Sequence, residues 1–150
     1  MRVDKKSLFL SVGICLLPIL IGVYYYGVLP EQIAVHFNAK GAPDNFVSKT
    51  HAIIGIPIFL AIVQVIISLV VDFDKTPKKG AFVIKAIIPV ISVLIQGGLI
   101  AYALDNNFNA PQLTVFVIGI LFIILGNYLP KKEFWGKYNF NLFGLEKGVN

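Results

Sequence analysis

The chain has one cysteine, two histidines and few charges: of its 150 residues only 14% are charged, against about 25% in soluble domains. Cys15, the single thiol, lies inside an apolar run, so an intrachain disulfide and a multi-cysteine zinc site are both excluded. There is no HExxH string, no paired carboxylate motif, and no Ser or Cys nucleophile with an evident base. These absences point to a protein that is not an enzyme and needs no cofactor. Asp, Glu, His and Arg are also missing from the middle of every long apolar run. Ion and proton pathways ordinarily carry such a residue, so a transporter is disfavoured.

What the chain does have is apolar length. Hydrophobic residues make up 57% of it, and four runs, at 7–29, 52–71, 82–104 and 113–129, are long enough to cross a bilayer, which takes about 20 residues as a helix. The expected architecture is an all-α polytopic membrane protein, a single membrane domain over 1–150. It has four transmembrane helices and a small extracellular hairpin-like loop between helices 1 and 2. The first run exceeds the length of a signal-peptide core and ends in "VYYYGVLP" with no small-residue cleavage pattern, so it reads as a retained span. Tyr24, Tyr25 and Tyr26 suit an interfacial aromatic belt.

Charge placement gives the orientation. Arg2, Lys5 and Lys6 precede the first run; Lys75, Lys78 and Lys79 fill the second connector; Lys131, Lys132, Lys137 and Lys147 lie in the tail. The first connector has only Lys40 and Lys49, and the third has no cation. Cations collect on the cytoplasmic side of membrane proteins. Both termini are therefore expected in the cytoplasm, the 30–51 loop outside, and Lys85 snorkelling toward the inner side. The net charge of +5 is spread over these inner segments, where anionic lipid accounts for it, and direct nucleic-acid binding is not expected.

Within the spans, Pro18 predicts a kink at the carbonyl of Ile14. Gly13, Gly22, Gly55, Pro57, Pro89, Gly97 and Gly98 read as packing positions, and Gly119 and Gly126 share a face. Gln64 and Ser68 lie one turn apart, as do Ser92 and Gln96. Counting rise from each end puts Gln64 and Ser92 at one depth, where they would bond between helices.

The most informative stretch is "LPEQIAVHFNAKGAPDNFVSKTH", 29–51, far longer than closing a turn requires. Ile33, Val35 and Phe37 alternate with Gln32, Ala34, His36 and Asn38, as a short strand does, and "NFVSK" suits its return partner. "NAKGAPDN" between them has turn chemistry, with Gly41 free to take positive φ. His36, Asp44 and His51 are proper metal ligands by type, but the tight hairpin is the better reading and no metal is expected.

This string resembles the signature of the SdpI-type membrane proteins, whose N-terminal module follows a pattern like LPxxIxxHFNxxGxPDxxxSK. His36, Phe37, Asn38, Gly41, Pro43, Asp44, Ser48 and Lys49 fall at the matching places. "GNYLPKKEFWGKYNFNLFG", 126–144, resembles a loosened form of the family's second signature, without its Arg-Thr-Pro. The likeness is to a short four-span member lacking the family's last two helices. It implies an immunity protein of the bacterial cytoplasmic membrane that binds or neutralises a membrane-active peptide toxin, with those eight residues as the ligand-binding set. A cytoplasmic regulator is a further partner the family implies.

The tail, 130–150, interleaves lysines with Phe134, Trp135, Tyr138, Phe140 and Phe143. Beside a span, that mixture suits rings in the headgroups and lysines on anionic lipid, so membrane lipid is an expected partner. The alternative is a signalling or scaffold subunit that recruits a cytoplasmic partner through this tail.

Overall fold

A computed structural model describes residues 3–73, 78–105 and 107–128. It contains four helical passages long and apolar enough to span a membrane, Lys5–Tyr25, His51–Phe73, Gly80–Leu104 and Ala110–Asn127, and one two-stranded sheet.

Proline shapes the helices. The first passage breaks into α1 (Lys5–Leu16) and α2 (Pro18–Tyr25), because Pro18 has no N–H for the carbonyl of Ile14. Asp4 caps α1, its Oδ1 accepting from Ser7 N–H at 3.2 Å. The second passage opens with a π-helical turn, His51–Gly55, and continues as α3 (Ile56–Phe73). Pro57 sits where this turn hands over to regular helix. Its ring crowds the carbonyl of Ile53 four residues back, and the wider π turn accommodates it. The third passage is α4 (Lys78–Leu104), with Pro89 in its interior, and the fourth is α5 (Ala110–Tyr128). Asn109 caps α5 by accepting from Gln112 N–H at 3.0 Å.

The helices packed around α4 bury their polar side chains and turn their apolar ones outward. Ser11, Gln64, Ser68, Lys85, Ser92 and Gln96 are all buried, while Phe9, Phe59, Ile62, Ile66 and Phe82 are exposed. In a bilayer that exposed surface faces lipid tails, and burying it between helices gains nothing over leaving it there.

Each interior proline orphans the carbonyl four residues before it, and in two cases a glutamine from the facing helix supplies the missing donor. Pro89 frees Lys85 O, which accepts from Gln64 Nε2 at 2.9 Å. Pro57 frees Ile53 O, which accepts from Gln96 Nε2 at 3.5 Å. The exchange is reciprocal: the second passage satisfies the third and the third satisfies the second. At the Pro18 break, Cys15 O accepts from Ser92 Oγ at 2.9 Å, tying α4 to α1. In hydrocarbon an unpaired carbonyl costs several kcal/mol, so these bonds fix which helices meet and in what register. Both amides turn their NH2 group to the freed carbonyl, and the Oε1 atoms of Gln64 and Gln96 have no partner among the described residues.

Two expectations are corrected here. Gln64 does not bond Ser92, because it bonds beside Lys85, seven residues and about 10 Å earlier along α4. Lys85 does not snorkel into the headgroups. Its ammonium donates to Asp72 Oδ1 at 2.6 Å, both side chains nearly buried, and Asp72 Oδ2 accepts from Asp4 N–H at 3.0 Å. The N-terminus of α1, the end of α3 and the start of α4 meet at this one carboxylate.

Candidate functional site

At the opposite end of the bundle, β1 (Gln32–Phe37) and β2 (Pro43–Ser48) form the antiparallel hairpin expected from the 29–51 string. Ile33 is the strand's anchor. It packs with Leu29, Ala52, Ile53, Leu99 and Ile100 into an apolar plug that closes the hairpin end of the bundle. Gly22 permits the close approach, since a Cβ there would overlap Ile53.

The candidate site residues divide by what they already do in the fold. Asn38 builds the turn: its Oδ1 accepts from Lys40 N–H at 2.9 Å and Ala42 N–H at 3.1 Å, and its backbone exchanges bonds with Gly41 and Ala42. Gly41 adopts φ +79°, which a side chain resists. Pro43 starts β2 opposite Phe37, where the lost N–H is tolerated. Phe37 meets the ring of Tyr102 edge-on, centroids 4.9 Å apart, and so docks the hairpin on α4.

Ser48 and Lys49 make the junction with the second passage. Ser48 Oγ accepts from His51 N–H at 3.4 Å and bonds His51 Nδ1 at 2.7 Å, capping the helical segment that starts at Lys49. Lys49 Nζ donates to Glu31 Oε1 at 2.8 Å and lies 4.7 Å from the ring centroid of Tyr26. The hydroxyl of Tyr26 bonds Thr50 Oγ1 at 2.6 Å. Tyr26, expected as part of a membrane belt, is thus also the clamp between the first helix and the hairpin's return.

His36 and Asp44 remain. The strand register slips on either side of His36, and this irregularity brings Asp44, diagonal to it, within reach. His36 Nδ1 bonds Asp44 Oδ1 at 2.5 Å, with the two side chains 66% and 42% exposed. A carboxylate only accepts, so the proton in this bond sits on Nδ1. The hairpin thus presents an imidazole and a carboxylate side by side on an exposed edge. His51 does not join them, its Nδ1 being engaged by Ser48. No group of three or more potential metal ligands forms among the described residues.

Sequence reasoning missed Tyr102, Glu31 and Thr50 as hairpin supports. Their signal was weak, since each partner is distant in the chain or of ordinary type. The tail, 130–150, expected to lie on lipid or alternatively to recruit a cytoplasmic partner, lies outside the described residues. No curated protein and no solved structure matches the chain. One family match agrees in extent with this geometry: residues 13–61, running from α1 through the hairpin into α3, match a domain of unknown function, DUF1648.

Proposed function

We propose that this chain is an immunity protein of the bacterial cytoplasmic membrane, binding a membrane-active peptide toxin at the outward face of its hairpin. The observation that carries the reading is the exposed His36–Asp44 pair. Asn38, Gly41, Pro43, Phe37, Ser48 and Lys49 are engaged in building or docking the hairpin, whereas among the described residues this pair bonds only across its own two strands. An exposed carboxylate held in place by an imidazole suits a partner with N–H donors or cationic side chains, as many membrane-active peptides have. The resemblance to SdpI-type proteins and the scarcity of cations in the 30–51 segment support the ligand class and the outward orientation. The protein acts by binding and does no covalent chemistry.

The test is a toxin challenge of a sensitive strain expressing the chain or the double variant His36→Ala, Asp44→Ala, at equal membrane abundance. Asn38 is left intact, because its loss would damage the turn and confuse fold with function. Protection should vanish in the double variant. Full protection by that variant removes the site assignment.

A further inference from the structure

Beneath the hairpin, α4 and α5 part to leave a groove of about 260 Å³. Val35 and Phe37 roof it, and Ile95, Leu99, Val117 and Leu121 line its walls. Its one hydroxyl, on Thr114, already donates to Ala110 O at 3.0 Å. No polar atom in the groove calls for water or a polar ligand.

Size decides what fits. A helix with its side chains is about 10–12 Å across and climbs 5.4 Å per turn, so one turn displaces roughly 500 Å³. A helix turn would not be enclosed by the groove. At roughly 30 Å³ for a group the size of a water molecule, it encloses about eight or nine methylene-sized groups in a row, which is about half of one acyl chain. Its walls belong to the α4 and α5 segments that are long and apolar enough to span, and there hydrocarbon chains are the abundant neighbour.

The rim adds charge. Gly41 lies against Pro111, a Cβ at Gly41 standing 3.9 Å from the proline ring, so the turn rests on the amino end of α5. Lys40 is exposed in that turn. An exposed cation at the rim of an apolar groove favours an anionic headgroup. We infer that the groove is a binding site for a single acyl chain of an anionic phospholipid from the hairpin-side leaflet, with its headgroup against Lys40. The site is separate from the His36–Asp44 edge, neither of whose side chains lines the groove.

The experiment reconstitutes the full chain into vesicles of equal phosphatidylglycerol and phosphatidylethanolamine, extracts it gently and counts retained lipids by native mass spectrometry. One phosphatidylglycerol per chain should survive extraction. Val117→Trp, which fills the groove, should reduce retention roughly tenfold, the effect of losing about two buried methylenes. Phe116→Trp, on the exposed side of α5, should leave it unchanged. Lys40→Glu, a surface change that does not bear on folding, should abolish the preference for the anionic lipid. Equal retention by the parent and Val117→Trp, or loss in Phe116→Trp, overturns the groove as the site. An unaltered headgroup preference in Lys40→Glu overturns the assignment of the phosphate to this rim.

Discussion

The hairpin and the membrane interior solve one problem in opposite ways. Each contains backbone groups that regular structure leaves unpaired. In the hairpin the answer is local: Asn38 serves the amides of Lys40 and Ala42, and Gly41 takes the left-handed conformation in the same turn. In the interior the answer is remote. The carbonyls freed by Pro57 and Pro89 are satisfied by Gln96 and Gln64, 43 and 21 residues away. A local solution leaves the element free to carry an exposed, specific surface. A remote one binds the helices to each other and leaves little polar capacity for a ligand.

On that contrast, the largest effect of a single change should come from the end of the bundle opposite the hairpin. Lys85→Met leaves the Asp72 carboxylate nearly buried without its cation, which should cost about 3–5 kcal/mol, while Lys85→Met with Asp72→Leu should recover most of it. Reversible unfolding in mixed micelles measures both. Gly41→Val comes next, at roughly 1–3 kcal/mol, because a β-branched residue at φ +79° is strained whatever surrounds it. Its effect should be confined to the hairpin, with amide exchange rising over 32–48 and staying flat in α3 and α4. Asn38→Ala removes two turn bonds that water can partly replace, for about 1 kcal/mol and the same local pattern. Spread of either hairpin effect into the spans would erase the distinction between the two regions.

The difference between the regions also decides what could be read from the chain. The hairpin was legible because its determinants sit within a few residues of one another: alternation in "QIAVHF", Asn38 two residues before Lys40, Gly41 at the turn. The spans were legible from length and hydropathy. The contacts between them were not. Pro89 and Gln64 each had an ordinary explanation alone, packing for one and interhelical bonding for the other, and only the fold joins them through Lys85 O. Lys85 misled for a related reason. A lysine near a span end usually reaches for the headgroups, but here Asp72 waits across the connector on the facing helix. At the candidate site, the residue types were visible in the string while their division of labour was not. His36 and Asp44 stand out only once Asn38, Ser48 and Lys49 are seen to be occupied.

The most direct test of the central claim, that Gln64 and Gln96 serve proline-freed carbonyls, is a double-mutant cycle of Gln64→Leu and Pro89→Ala. Replacing Pro89 by alanine restores the N–H that Lys85 O lacks, so Gln64→Leu should cost less in that background than in the parent. The coupling should be about 0.6–1.7 kcal/mol, the range of hydrogen bonds between membrane helices. Additivity within about 0.3–0.5 kcal/mol, as for independent sites, would contradict the account and leave Gln64 with no reason to lie where it does.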